Sequence, residues 1–180
     1  MRPDFFIFSL PRSGSAWLSM FLSGRDSYCY HEPLADFTAD AWIEQAQKRP
    51  EEIVGGVDTG AYRWPTLLTG LLPGAKLFVL VRNREEIKRS WNSLRFNALP
   101  ENIMDAEVEK IRAISVGMER IYHAHLGDVS YLEDLWGRVI GTPFDRERAL
   151  LLSEMRVTRD VPVFMGRRPW LAESQKIQSA

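Results

Sequence analysis

The sequence predicts an α/β fold with a mainly parallel central sheet flanked by helices. Two short runs, residues 5–10 and Lys76–Val81, are apolar at almost every position. Strands wet on one face alternate in polarity, so runs like these read as buried parallel strands. Each is followed at once by a tight turn and then by apolar residues at helical spacing. Strands alternating with helices pack as layers around a parallel sheet. The 180 residues, 45% of them hydrophobic, suffice for one domain with a real core, expected to span residues 1–180.

The elements follow in order. Residues 5–10 form the first strand, bounded by Pro11. Trp17, Leu18, Phe21 and Leu22 then mark a helix over 15–23, stopped by Gly24. Residues 27–33 are a short extended piece or loop ending at Pro33. Thr38 caps a helix over 39–48 that stops before Pro50. Residues 52–58 are a second strand, weakened by Gly55 and Gly56. Pro65 opens a helix through Leu72, and Pro73-Gly74 turns the chain into the strand at Lys76–Val81. A helix from Arg84 to about Asn97 has Glu85 and Glu86 in its first turn, where they favour the dipole. Ile87, Trp91 and Leu94 share one of its faces. Met104, Val108, Ile111, Met118, Ile121 and Tyr122 mark one long amphipathic helix ending near Gly127. Residues 128–131 read as a short strand. Leu132, Leu135, Trp136, Val139 and Ile140 make another helix, closed by Gly141-Thr142-Pro143. Asp145 caps a last helix to about Met155. Residues 161–164 are an edge strand, and residues 173–180 a frayed tail.

Bulk composition narrows the function. The net charge is −1, whereas a broad nucleic-acid surface needs a clustered basic excess. An anionic ligand must therefore be held by a local site. Cys29 is the single cysteine, so no intrachain disulfide forms and no cysteine-based zinc site fits. No metal-binding cluster is expected. No segment has the length of a membrane span, and residues 5–10 do not run into a cleavage site. The expectation is a cytoplasmic protein with no nucleic-acid or membrane partner.

Ligands of parallel α/β sheets sit outside the carboxyl ends of the strands. Residues 11–17 lie at such an end. The turn brings backbone N–H groups to the positive end of a helix, where an anion can sit. The amides of Ser13 to Ala16, the hydroxyls of Ser13 and Ser15, and the charge of Arg12 could together hold one phosphate. The glycine and lysine of a Walker A loop are missing, which disfavours a magnesium-nucleotide site. Trp17 offers a flat face on which a base could stack. The same residues also suit a purely structural strand–turn–helix.

The run Pro11-Arg12-Ser13-Gly14-Ser15-Ala16-Trp17-Leu18 resembles the 5′-phosphosulfate loop of the sulfotransferases, which use 3′-phosphoadenosine 5′-phosphosulfate. A second motif of that family has a strand-end arginine and a serine eight positions on, which together bind the 3′-phosphate. Arg82 and Ser90 are similar to it in type and spacing. More weakly, Tyr131-Leu132-Glu133-Asp134-Leu135 and the segment through Asp145 resemble the family's Tyr-Glu-Asp-Leu region. The likeness spans about residues 5–155. Ala16 stands where a second hydroxyl is usual, and Asn83-Arg84 replaces the common Asp-Pro. Gly166-Arg167-Arg168 is a scrambled counterpart of the late basic segment.

The resemblance implies a P-loop-type three-layer fold and a sulfotransferase that needs no metal. The co-substrate would be 3′-phosphoadenosine 5′-phosphosulfate, held by Pro11, Arg12, Ser13, Gly14, Ser15, Ala16, Trp17, Arg82 and Ser90. The sulfuryl group would pass to a hydroxyl or amine of a small-molecule or conjugate acceptor. Arg12 would stabilise charge, since a guanidinium is a poor acid. Glu32 is the first choice of base by this likeness. His31 stays open because its ordinary pKa suits the task, and Asp58 because other branches place the base after the second strand. Two other functions also stay open: a nucleotide or small-molecule kinase on a P-loop fold, and a non-catalytic relative that binds an adenosine bisphosphate or a protein. His123 and His125 lie two apart on the predicted helix, so they face different ways and are read as surface or helix-end residues. Cys29 is read as a small buried apolar side chain.

Overall fold

β1 (Phe5–Ser9) is buried along its whole length because its alternate residues serve two separate cores. Phe5 and Ile7 point to one face of the sheet, Phe6 and Phe8 to the other. Each fully buried side chain of this size contributes roughly 1.5–3 kcal/mol. In the computed structural model, which describes residues 3–92 and 101–154, β1 is the middle strand of five. β2 (Ser27–His31), β3 (Ile53–Asp58), β4 (Lys76–Val81) and β5 (Glu119–Tyr122) complete an all-parallel sheet of order β2-β3-β1-β4-β5. The expected α/β class with a parallel sheet is what forms.

Helices cover both faces. α1 (Ser15–Phe21), α7 (Val129–Val139) and α8 (Arg146–Glu154) pack on the face of Phe5 and Ile7. α3 (Ala39–Gln47), α4 (Pro65–Leu71), α5 (Arg84–Asn92) and α6 (Glu101–Ile114) supply the other core through Trp42, Leu68, Ile87 and Val108. α2 (Pro33–Asp36) is a single turn after β2. Thr38 caps α3 through Ala41 N–H, and Asp145 accepts from Arg148 N–H at the start of α8, both as expected. No described helix is long and apolar enough to cross a membrane.

The two glycines of β3 are not a weakness. A Cβ on Gly55 would stand 2.5 Å from the Phe5 ring, and one on Gly56 would stand 2.9 Å from Trp42. The neighbouring aromatic rings occupy that space, so glycine is what lets β3 lie flat against β1.

Two expectations are corrected. The long helix through Gly127 breaks: α6 ends at Ile114, the chain turns through Gly117 at φ 84°, and β5 follows. Only Ile121 of β5 is buried, so this edge strand shows no alternation for a reader of sequence to find. The proposed strand at 128–131 is the start of α7, with Asp128 as its N-cap on Ser130 N–H at 2.9 Å. Of the two alternatives for residues 27–33, the extended one forms, as the full strand β2, and the strand at Lys76–Val81 is the fourth in chain order. The helix end near Asn97, the strand at 161–164, the basic segment at 166–168 and the tail at 173–180 lie outside the described residues.

The topology also places the site. β1 sends the chain to α1 on one face, while its neighbour β4 sends it to α5 on the other. The two outgoing loops diverge and leave a crevice between them, as at other switch points of parallel sheets.

Candidate functional site

The loop after β1 is shaped by two residues with left-handed backbone. Ser13 N–H donates to the Leu10 carbonyl at 3.3 Å, closing the turn. Arg12 has φ 66° and Gly14 φ 88°. At Gly14 the requirement is double: a Cβ would also stand 2.9 Å from His123 Cδ2. Gly14 caps α1, whose first N–H groups have no partner within the helix. α1 is braced from behind. Trp17 Nε1–H donates to the Leu152 carbonyl at 2.7 Å, and Arg148 of α8 donates to the Met20, Phe21 and Ser23 carbonyls at the far end.

The loop after β4 leans on this turn. Arg82 Nη1 donates to the Arg12 carbonyl at 2.7 Å. Arg12 Nε in turn donates to Ser90 Oγ of α5 at 3.1 Å. Residues about 70 and 78 positions apart are thus tied into one cluster. The Arg12 pKa is lowered, first by burial and then by the charge of Arg82. Behind Arg82, Glu86 Oε2 accepts from its Nε at 3.1 Å and stands 3.7 Å from His123 Nδ1. Burial, with help from Arg82, lowers the His123 pKa.

Acceptors gather at the ends of β2 and β3. Glu32 has φ 54°; it and Arg12 are the two non-glycine residues with positive φ among the described residues, and both line the same cavity. Such backbone costs on the order of 1–3 kcal/mol and concentrates at functional positions. Glu32 Oε2 accepts from Thr59 N–H at 3.1 Å and Thr59 Oγ1–H at 3.0 Å. Its Oε1 is 3.5 Å from His31 Nε2, which also lies 3.2 Å from Ser15 Oγ. Serine and acid meet the same ring nitrogen, so this is not a hydrolase relay, which needs them on opposite nitrogens. Burial lowers the His31 pKa against the pull of Glu32, Asp58 and Asp36.

One cavity of about 730 Å³ joins the two ends. Pro11, Arg12, Gly14, Ser15, Ala16, Trp17, Glu32, Arg82 and Ser90 all line it, and so does His31. Ser13 does not: it is fully buried, its N–H donates to the Leu10 carbonyl in the turn, and its Oγ has no hydrogen-bond partner among the described residues. Trp17 meets the cavity but is 8% exposed, with one face stacked on Phe21 at 5.4 Å. The open ring face expected from sequence is therefore covered on one side. Asp58 is buried and spent on the N–H groups of Leu34, Gly60 and Ala61, which leaves it no role as base.

Some cavity residues escaped the sequence reading. His123 is not on a helix face; it follows β5 in a short 3-10 turn and covers Gly14. Leu126 and Gly127 follow it into the cavity wall. Tyr131 to Leu135, the weaker of the family-like segments, lie within α7 instead. Thr59 carried no signal beyond its place after a strand.

No protein-family model matches the chain, and no curated protein matches its sequence. Solved structures do match. A sulfotransferase from Alicyclobacillus acidocaldarius superposes with a TM-score of 0.59 at 17% identity, over 92% of this chain and 90% of that one. Mouse sulfotransferase SULT7A1 complexed with PAP gives a TM-score of 0.59 at 13% identity, over 86% of this chain and 66% of that one. The chain has the sulfotransferase fold.

Proposed function

We propose that this chain is a sulfotransferase that moves a sulfuryl group from 3′-phosphoadenosine 5′-phosphosulfate to a hydroxyl or amine acceptor. The observation that carries the reading is the meeting of Arg12, Arg82 and Ser90 in the crevice between β1 and β4. The chain's own residues suit an anion there. Arg82 already depresses the Arg12 pKa, so a bound phosphate relieves a repulsion that exists without it. Gly14 keeps the loop clear of a side chain that would collide with His123. The cavity volume falls within the range of ligand sites, roughly 300–1,000 Å³. The structural similarity to a sulfotransferase complexed with PAP agrees with a bisphosphorylated nucleoside in this place.

The bound donor would supply a sulfuryl group for in-line displacement from its 5′-phosphate. Arg12, with the N–H groups at the start of α1, answers the charge that develops on the loop side. Arg82 and Ser90 anchor the second phosphate, and a guanidinium can do so with two parallel bonds. Glu32 takes the acceptor's proton at Oε1, the oxygen that faces His31, while Thr59 holds Oε2 and so fixes the direction of the carboxylate. His31, kept toward its neutral form, orders Ser15 beside that carboxylate. The acceptor is a small molecule or a conjugate entering from the Glu32 end.

Thermal unfolding with two ligands tests the reading. Adenosine 3′,5′-bisphosphate at about 100 times its Kd should stabilise the protein by about 2.7 kcal/mol, and ATP with magnesium should not. A response to ATP-magnesium alone would remove the proposal in favour of a kinase. Acceptor-dependent transfer of labelled sulfate then separates an enzyme from a protein that only binds the nucleotide.

A further inference from the structure

The cation cluster contains a carboxylate that the transfer reaction does not call for. Glu86 sits in the first turn of α5, four residues after Arg82. Its Oε2 holds the Nε of Arg82 at 3.1 Å, while the Nη1 of the same guanidinium is used on the Arg12 carbonyl at 2.7 Å. Glu86 is not among the residues that line the cavity. It meets the cavity only through its two neighbours, Arg82 and His123, which do line it. His123, the second group near that oxygen, is held toward its uncharged form by burial and adds little positive charge.

We propose that Glu86 is a built-in counter-charge that limits how tightly Arg82 holds a phosphate or sulfate group in the crevice. The inference rests on the anion-binding reading of the site given above. A guanidinium has five N–H donors, so Glu86 and the Arg12 carbonyl leave it donors for a ligand. What Glu86 removes is net charge: a phosphate approaching Arg82 meets a guanidinium already paired with a carboxylate at 3.1 Å. It also fixes the rotation of the guanidinium, so the remaining donors are aimed rather than free. The consequence is an aimed but moderated site. Product release sets the rate of many enzymes, and a weaker hold on a doubly phosphorylated product lets it leave sooner.

Glu86→Gln isolates the charge, because the amide oxygen can still accept from Arg82 Nε. Binding of adenosine 3′,5′-bisphosphate, measured by calorimetry, should tighten about tenfold at low salt. The gap should narrow as ionic strength rises. Glu85→Gln, on the same helical turn but paired with Arg84, controls for the overall change in charge and should shift Kd by less than about twofold. Thermal midpoints of both variants report whether they fold. Unchanged or weaker binding in Glu86→Gln overturns the proposal, and so does an equal gain in Glu85→Gln. If neither the parent protein nor Glu86→Gln binds the bisphosphate, the reading of the site falls and the inference falls with it. Binding by Glu86→Gln alone supports both.

Discussion

At the β4 end of the cavity the working side chains are donors that lean on one another; at the β2 end they are acceptors held by the backbone. Arg82 reaches the Arg12 carbonyl and Arg12 reaches Ser90, so each cation is positioned by a group that an incoming anion can supplement or replace. Glu32 is pinned by the N–H and hydroxyl of Thr59, and Asp58 beside it by three backbone N–H groups. The first arrangement suits charge that arrives with a ligand and leaves with it. The second suits a fixed acceptor aimed at one proton. Affinity and chemistry can therefore be disturbed separately.

The largest effect is expected at the acceptor end. Glu32→Gln should cut transfer by about 10²–10⁴-fold, the usual range for losing a general base, while bisphosphate affinity stays as it was. Unchanged turnover would pass the role to His31. A smaller effect, but one felt in both binding and folding, is expected at the donor end. Gly14→Ala places a Cβ in left-handed backbone and 2.9 Å from His123. It should cost more than about 1 kcal/mol of stability and weaken bisphosphate binding together, read by denaturant unfolding and calorimetry. A variant as stable as the parent would mean that His123 and the loop yield easily.

The smallest effect concerns pH, and both ends share it. His31 and His123 each have a pKa below the ordinary 6.5, so the fold favours their neutral forms. Their contribution to stability is complete above that value and is lost as pH falls through their lowered folded values. The causes differ: three carboxylates oppose burial at His31, whereas Arg82 reinforces burial at His123 and only Glu86 opposes it. Denaturant midpoints should fall modestly from about pH 7.5 to about pH 5, and the slope should flatten in His31→Gln or His123→Gln. A slope unchanged in both variants would assign the pH response to other groups.

How much of this was legible in the sequence depended on burial. β1 and β4 could be read because both their faces are buried, so nearly every residue is apolar. β5 could not, because Ile121 alone carries its packing and sits at a spacing that continues the helical pattern of Met104, Val108 and Ile111. With β5 went His123, whose place over Gly14 depends on a strand the sequence hides. Arg12, Arg82 and Ser90 were legible as types at a spacing, and the cavity does gather them. That Arg12 would adopt left-handed backbone and turn its guanidinium toward Ser90 was not, because it is set by a contact across 78 residues. Ser13 is a ligand by residue type, yet its side chain is fully buried and does not line the cavity. The glycines of β3 looked like flaws until the rings of Phe5 and Trp42 were seen in the space that side chains would fill.

In the proposed function the β4 end receives a second phosphate, one that a nucleoside monophosphate lacks. Calorimetric titration of the parent protein and of Arg82→Ala with adenosine 3′,5′-bisphosphate and with adenosine 5′-monophosphate tests it directly. The parent protein should bind the bisphosphate tighter by about 10- to 100-fold, the worth of charge-assisted bonds to one more phosphate, and Arg82→Ala should erase this preference. Equal affinity for the two nucleotides in the parent protein, or a preference that survives in Arg82→Ala, would contradict it.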